Sequence, residues 1–446
     1  MKWPLEAKKI KNMINAKTIL LIILLIILGI LGHLNYQKYY NLNTTFNYMD
    51  NNEEKKSDNE GSKTVNRDLH YYDEVKLVDE MKTLIDFDLI EQMAPNRNDI
   101  PPLVEPAFVT VSYADSWISD EMKVALYIGD DGTQVVYPLA IMRWHQVLID
   151  DVDGRPIVVT HCPFSGVVAV YDRRVEGNEL NFGVSGKIFN SNTLIFDEET
   201  DSLWQQINGV AVSGEYTEKQ LTRLPVSLIE WGNVRDRYPD AQVLSRKNAF
   251  QIDYTEKPYG NYDLTMDIFY KVRSFDTLFH PKAFAIGFGD LDSVQKNDTA
   301  STQKIYLLEE VHKVGFINDK IKDMNIFIYE EPQTMEVLAF NREVGDDIYN
   351  IKLDFETDKL ISKEGEWQRR DEKLVLIGDI EAENDEIKDV VSDSKIGDEQ
   401  KEIKEIKLKR IPVTFGYWFA WRAFYPDATV FTTNVAGFRQ SFKDRE

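Results

Sequence analysis

Residues 225–244 read PVSLIEWGNVRDRYPDAQVL, and residues 412–431 read PVTFGYWFAWRAFYPDATVF, in register and without a gap. Nine of those twenty positions are identical, among them Trp231/Trp418, Arg235/Arg422 and the Tyr-Pro-Asp-Ala blocks at 238–241 and 425–428. A second pair of segments aligns upstream at an offset of 169: the 39 residues from Tyr137 lie on those from Tyr306, with eight identities and the same apolar phase. A chain that repeats itself is expected to build the same supersecondary unit twice, so two pseudo-equivalent halves follow. The repeat also separates scaffold from chemistry. Tyr137/Tyr306, Asp150/Asp319 and Arg173/Arg342 stand in both copies and are assigned to the scaffold. His145, His161, Cys162 and Ser165 instead lie on Val314, Glu330, Glu331 and Thr334. The reactive groups sit in the first copy only.

Short β-branched and aromatic runs broken by Gly, Asp and Asn fill both copies. The first has FVTVSY, KVALYI, TQVVYP, PIVVTHC, VVAVYD, ELNFGV and TLIFD; the second has AFAIGF, KIYLL, NIFIYE, EVLAFN and IYNIKL. They read as antiparallel strands and hairpins, with turns at residues 129–132 and at Asp153-Gly154. Helices are expected over 139–146, over 227–237 and ahead of Tyr425. An amphipathic helix is expected over 74–93, where Val75, Leu77, Val78, Met81, Leu84, Ile85 and Leu89 recur at helical spacing. The fold class is therefore α+β, mostly β: an internally duplicated β-rich domain after an N-terminal transmembrane helix. The first repeat is expected at 104–247 and the second, degenerate one at 248–446. An acidic stretch at 378–408 offers almost nothing to bury and reads as a solvated insertion.

Residues 18–34, TILLIILLIILGILGHL, form an unbroken apolar run about one bilayer thick. Lys8, Lys9, Lys11 and Lys17 precede it, which places residues 1–17 in the cytoplasm and the bulk outside. A cleaved signal peptide is the competing reading, but no small-x-small site follows, so a retained anchor is expected. Residues 35–68 read as a flexible tether and 69–103 as the helix and a linker. The expected partner is the membrane, through a single N-terminal helix, and the expected location is the cell membrane, single-pass and extracytoplasmic. A net charge of −23 argues against nucleic acid, which needs basic clusters to displace counterions. The chain has one cysteine, so no internal disulfide forms and packing must supply the stability. Outside the cytoplasm a lone thiol also meets oxidants unless it is buried, metal-bound or recycled.

That cysteine lies in His161-Cys162-Pro163-Phe164-Ser165-Gly166, between two strand-like runs. Proline cannot donate to a ladder, so Pro163 ends pairing and leaves Cys162 at a strand tip. There the amides of Phe164, Ser165 and Gly166 are placed to face a thiolate or an oxyanion. The plainer reading is a cysteine that only packs. Neighbours on a strand point to opposite faces, so His145, at a helix end, is a better partner for Cys162 than His161 is. A core-rim role for His145 fits the spacing equally well. Downstream, Ser185, Lys187, Asn190, Ser191, Asn192, Trp204 and Gln205 supply groups able to surround a polar ligand, while Asp197, Thr200 and Ser202 suggest an Asx-type turn. No nucleophile elbow, P-loop, dinucleotide fingerprint, CxxC or HExxH is present. With six histidines and one cysteine, structural zinc is disfavoured and no cofactor is selected.

Taken together, YPLAIMRWHQVLIDDVDGRPIVVTHCPFSG, LNFGVSGKIFNSNTLIFDEETDSLWQQINGVAVSG and WGNVRDRYPDAQVLS resemble the domain-of-unknown-function family numbered 3179. The resemblance is close over about 106–245 and looser to about 431. The family's pattern of an aromatic residue, Cys-Pro-Leu, a small or second Cys residue and Gly falls on residues 161–166. His161 replaces the aromatic, Phe164 replaces Leu, and a second cysteine is absent, which weighs against a dithiol redox role. The resemblance implies a Cys-Pro centre at Cys162-Pro163 beside two motifs. One falls on Ser185-Gly186 with Asn190-Ser191-Asn192, the other on Asp197, Thr200, Ser202, Trp204 and Gln206. It implies no activity. The expected site thus has Cys162 and His145 in catalytic roles, with His161, Ser165, Ser185, Asn190, Asn192, Trp204 and Gln206 for binding. The expected function is thiol-dependent cell-envelope chemistry in one polar pocket. The alternatives are a non-catalytic soft-metal (copper) or ligand-binding module, and a structural envelope protein.

Overall fold

The computed structural model describes residues 76–78, 81–248, 250, 252–288, 303–378 and 405–433, all in one compact unit. The apolar run at 18–34 and the tether at 35–68 lie outside them. No helix among the described residues is long and apolar enough to cross a membrane. Strand accounts for 44% and helix for 12%, so the mostly-β class holds.

Valine and isoleucine runs make strands that are buried on both faces, which is why they read as continuous apolar stretches rather than as alternation. In the first half these are β1 (Lys123–Ile128), β2 (Gln134–Pro138), β3 (Val147–Val152), β4 (Arg155–Cys162) and β5 (Val167–Asp172). Helix α1 (Leu139–His145) follows Pro138 and ends where Gln146 turns left-handed at φ 62°. The long hairpin β6 (Phe182–Phe189) and β7 (Asn192–Asp197) comes next, then β8 (Ser227–Glu230), α2 (Trp231–Arg237) and β9 (Gln242–Leu244). β8 and β2 flank β1 antiparallel, and β9 lies parallel to β2. β3, β4 and β5 form an antiparallel meander.

The second half runs through β10 (Phe284–Phe288), β11 (Lys304–Leu307), α3 (Leu308–Val314), β12 (Phe316–Ile321), β13 (Met324–Glu330) and β14 (Val337–Asn341). It closes with β15 (Thr414–Tyr417), α4 (Trp418–Phe424) and β16 (Thr429–Phe431). Here β15 and β11 flank β10 antiparallel, β16 lies parallel to β11, and β12, β13 and β14 form a meander. One sheet crosses the halves because β15 pairs with β5 at Phe415 and Val168. The core crosses as well: Tyr137, Val159 and Val170 share a cluster with Tyr306, Ile328 and Phe415.

Details also recur at matching positions. Tyr137 donates to Asp150 at 2.7 Å, and Tyr306 to Asp319 at 2.7 Å. Trp231 and Arg235 both grip Asp115, while Trp418 and Arg422 both grip Asp276. Left-handed backbone falls at residues 146 and 315, 153 and 322, 166 and 335, and 176 and 345.

Four local expectations need correction. The amphipathic helix over 74–93 is absent: Lys76–Val78, Met81–Thr83 and Glu91–Gln92 are strands, with a 3-10 turn at Phe87–Leu89. Thr83 pairs with Ser213, and Gln92 pairs with Lys187 of β6, so open sheet edges take the backbone bonds a helix would have kept. Met81 at 47% and Leu89 at 41% exposure show that the apolar spacing there does not mark a buried face. In FVTVSY the strand stops at Thr110, whose hydroxyl caps a short helix, Val111–Ala114, by accepting from Tyr113 N. Of the helix expected over 227–237, the first four residues are β8 instead. The acidic insertion is also shorter than 378–408. Lys373–Gly378 and Lys407–Lys409 are paired strands with Leu408 in the core, so the interruption connects neighbours in one sheet.

Candidate functional site

Cys162 ends β4, paired with Val167, as a proline directly after it requires. The turn that follows needs glycine at 166: φ is 68°, and a Cβ there would lie 2.7 Å from the Tyr417 ring. Ser165 carbonyl accepts from Tyr417 N at 2.8 Å, so the loop rests on β15 of the second half. The thiol is fully buried. Its Sγ lies 3.3 Å from Thr193 Oγ1 and 3.7 Å from the Ser191 carbonyl. Thr193 Oγ1 is also 2.8 Å from Gln146 Oε1, and Gln146 Nε2 donates to the Tyr259 hydroxyl at 3.2 Å.

Counting protons orders this chain. Thr193 has one hydroxyl proton, and the amide oxygen is the stronger acceptor, so it goes to Gln146. By the same rule the thiol proton goes to the Ser191 carbonyl, and the Thr193 oxygen rests against Sγ. Rotated the other way, the same hydroxyl donates to the sulfur at 3.3 Å. Gln146 is left-handed at φ 62° without being glycine, and Asn190 and Ser191, at φ 51° and 59°, form the two-residue turn of the β6–β7 hairpin, which requires that conformation at both positions. The buried Ser191 hydroxyl has no hydrogen-bond partner. It lies towards Tyr262, whose ionised form it would favour.

Aromatic residues cover the site from the connection between the halves. Tyr259, Tyr262 and Tyr270 pack edge-on against Phe164 with ring centres 4.5, 5.9 and 4.9 Å away. The Tyr262 hydroxyl donates to the Phe164 carbonyl at 3.0 Å. Burial, with the nearby Cys162 adding to it, holds the Tyr259, Tyr262 and Tyr270 phenols protonated, well above their usual range. Lys282 clamps this strap. Its ammonium donates to the carbonyls of Tyr262, Thr265 and Asp267 and lies 3.6 Å from the Tyr262 ring centre. Burial lowers its pKa to about 8 against the pull of Asp267 and Asp263.

Of the residues expected in the site, Cys162, Ser165, Asn192 and Gln206 are brought together. Asn192 Nδ2 donates to Ser165 Oγ at 2.8 Å and to Gln206 Oε1 at 2.6 Å, and its Oδ1 accepts from Ile207 N. Gln206 in turn donates to Thr160 Oγ1 and the Val167 carbonyl. The network is satisfied and holds the 162–166 turn against the β6–β7 hairpin. Asn190 joins it to the second half through Ala423 O and to the strap through Arg273 N. Ser185 bonds the Leu194 carbonyl at a bulge in the β6–β7 hairpin. Trp204 belongs to the expected turn: Asp197 accepts from Thr200 N and from Trp204 Nε1.

His145 and His161 are both buried and neutral. His145 uses Nδ1 on the Pro101 carbonyl at 2.8 Å and Nε2 on the Tyr254 hydroxyl at 2.6 Å, so neither nitrogen is turned to Cys162. Burial lowers it to about 4. His161 bonds the Val167 carbonyl through Nδ1, and burial together with Arg143 lowers it to about 3. Gln146, Thr193, Tyr259 and Met93 were not legible as site residues. Only Thr193 carried a signal, by following directly on the Asn-Ser-Asn motif.

The matching place in the second half holds ions instead. Glu331 lies where Cys162 does, and Glu330 pairs with His312 at 2.8 Å where His161 faces Arg143. Fully buried Glu336 binds Arg369 at 2.6 Å, takes the Tyr238 hydroxyl at 3.1 Å and also bonds Ser227, tying the halves together. Burial would raise its carboxyl, but Arg369 and Arg410 outweigh that and lower it. A cleft of about 830 Å3 between Arg223 and the Ile321–Met324 turn includes none of the residues around Cys162. Among the described residues no three His, Cys, Asp or Glu side chains gather as a metal cluster. Residues 97–428 match the family model described as Protein of unknown function (DUF3179). No curated protein and no solved structure matches the chain.

Proposed function

Because the chain belongs to the DUF3179 family, whose description assigns no activity, we propose a function from the site itself. The protein is a single-pass, membrane-anchored, extracytoplasmic protein in which Cys162 is the working group of one buried polar site. The observation that carries this reading is the hydrogen-bond chain from Cys162 through Thr193 to Gln146 and Tyr259. A cysteine that only packs has no use for a hydroxyl beside its sulfur, nor for a left-handed Gln146 that holds it there. The thiolate is the nucleophile, Thr193 its donor, and acyl or amide groups of the cell envelope are the substrates its location offers. His145 serves as proton acceptor only once Tyr254 releases its Nε2.

We infer as well that the scaffold arose by doubling. The common strand order, the shared left-handed positions and the paired Trp–Arg–Asp grips support this. A buried ion cluster then replaced the second site.

A second reading, soft-metal binding, is favoured by one observation: the Met93 thioether lies 3.8 Å from Gln146 Nε2, and Gln146 Oε1 leads through Thr193 to Cys162, so a second sulfur belongs to the same chain of side chains. Alkylation of the full chain in detergent tests both. The thiol reading predicts labelling of Cys162 in the folded protein, slowed about tenfold in Thr193→Val by loss of the donor. A thiol that labels only after unfolding leaves the structural alternative. Stoichiometric copper that is lost in both Cys162→Ser and Met93→Leu selects the metal.

A further inference from the structure

The strap that covers Cys162 carries an apolar surface that the thiol chemistry does not use. Among the described residues twelve large apolar side chains are exposed, and four of them, Leu264, Met266, Phe269 and Phe275, fall within residues 264–275. That clustering separates them from singly scattered surface apolars, which need no explanation. Leu264 is 71% and Met266 59% exposed, so neither contributes to packing in the fold. Phe269 does both: it is 51% exposed, yet its ring centre lies 4.3 Å from Tyr262 and 6.4 Å from Phe164. Through it the outer face is mechanically joined to the cover of the thiol.

We propose that residues 259–275 are a lipid-facing lid: Leu264, Met266 and Phe269 enter the outer surface of the membrane that residues 18–34 span, and this docking lifts the aromatic cover from Cys162. The proposal rests on the anchor and the thiol site proposed above. The chain itself supplies the argument for lipid as the occupant. About 40 residues separate the apolar run from Lys76, where the described fold begins, and such a length reaches no farther than about 140 Å, so the fold never leaves the neighbourhood of the bilayer. The charges agree. Within residues 259–275 Asp263 and Asp267 are balanced by Lys271 and Arg273, so the strap has no net charge and fits zwitterionic headgroups. Pulling Phe269 outward removes the ring packed on Tyr262, the residue whose hydroxyl holds the Phe164 carbonyl two positions after the thiol.

The test uses the full chain in phosphatidylcholine vesicles that contain nitroxide-labelled lipid. In a Cys162→Ser background, Leu264→Cys carries an environment-sensitive fluorophore. A second protein carries it at Phe355→Cys, a residue 66% exposed in the second half. The lid predicts a blue shift and about threefold quenching at 264, with little change at 355. Equal quenching at both positions overturns it, as does quenching at 264 only by a nitroxide placed on a second copy of the chain. Because the reactive thiol is absent, this readout fails or succeeds independently of the thiol reading. The link to the site is read separately: in Leu264→Asp/Met266→Asp, alkylation of native Cys162 in vesicles falls about fivefold. Docking at 264 with unchanged alkylation refutes the opening step.

Discussion

Replacing Gln146 with glycine sets two effects of opposite sign against each other. Gln146 closes α1 in a left-handed conformation, its N–H on the Met142 carbonyl at 2.7 Å, and the equivalent residue of α3 is Gly315, at φ 72°. If residue 146 only caps a helix, glycine relieves about 1 kcal/mol of left-handed strain and stabilises the protein. The side chain, however, is 1% exposed and bonds both Thr193 and Tyr259. Gln146→Gly leaves both hydroxyls buried without that partner, at about 1–3 kcal/mol each. The losses exceed the relief, and the expected result is a net destabilisation of about 3 kcal/mol. Urea unfolding of the full chain in detergent, followed by tryptophan fluorescence, measures the sum. Gly315→Gln serves as control: it adds left-handed strain with no hydroxyl pair to gain. Stabilisation by Gln146→Gly would show that the strained residue is not kept for the thiol, and the reasoning would fail.

Acid should weaken the fold above the carboxylate range. His145 falls from 6.5 to about 4 and His161 from 6.5 to about 3, so between pH 6.5 and 4 the unfolded chain binds more protons and stability rises with pH. Each histidine gives up as much as about 3 kcal/mol across that window. A lower urea midpoint at pH 5 than at pH 7, with a smaller difference in His161→Phe, is the check. Glu336→Ala leaves buried Arg369 with Glu331 alone and empties the carboxylate site that Tyr238 and Ser227 bond, and should cost about 3 kcal/mol, while Lys123→Ala, which breaks an exposed pair with Glu230, should cost no more than about 1. Comparing the two midpoints decides it. Gly166→Ala forces a Cβ into the Tyr417 ring at a left-handed φ, should cost about 2 kcal/mol or more, and should speed alkylation of Cys162.

Much of the fold was legible because strands buried on both faces announce themselves as valine and isoleucine runs, and because Pro163 fixes where β4 stops. Trp231 and Arg235 and their counterparts Trp418 and Arg422, which suggested a repeat in the sequence, each grip an aspartate. The left-handed positions correspond with little shared identity, Gln146 with Gly315 and Gly166 with Met335, so backbone geometry matches where the residues differ. Residues 74–93 misled because apolar spacing cannot register that a sheet edge elsewhere offers better bonds. Cys162, Ser165, Asn192 and Gln206 could be read as a group from short motifs. Gln146 and Tyr259 could not, since neither belongs to a motif and each arrives by tertiary packing. The partners of His145 lie at Pro101 and Tyr254, too far away in sequence for spacing to predict.

The central claim is that Cys162 is a group the folded protein uses, covered by a strap that opens without unfolding of the rest. Its most direct test is the alkylation rate of Cys162 against urea concentration below the unfolding transition, since the slope reports how much surface must be exposed before the thiol reacts. A rate nearly flat in urea means a local opening of the strap, and this is the predicted result. A rate that rises with the full slope of global unfolding means that the thiol is reached only when the fold is lost, and it would contradict the account.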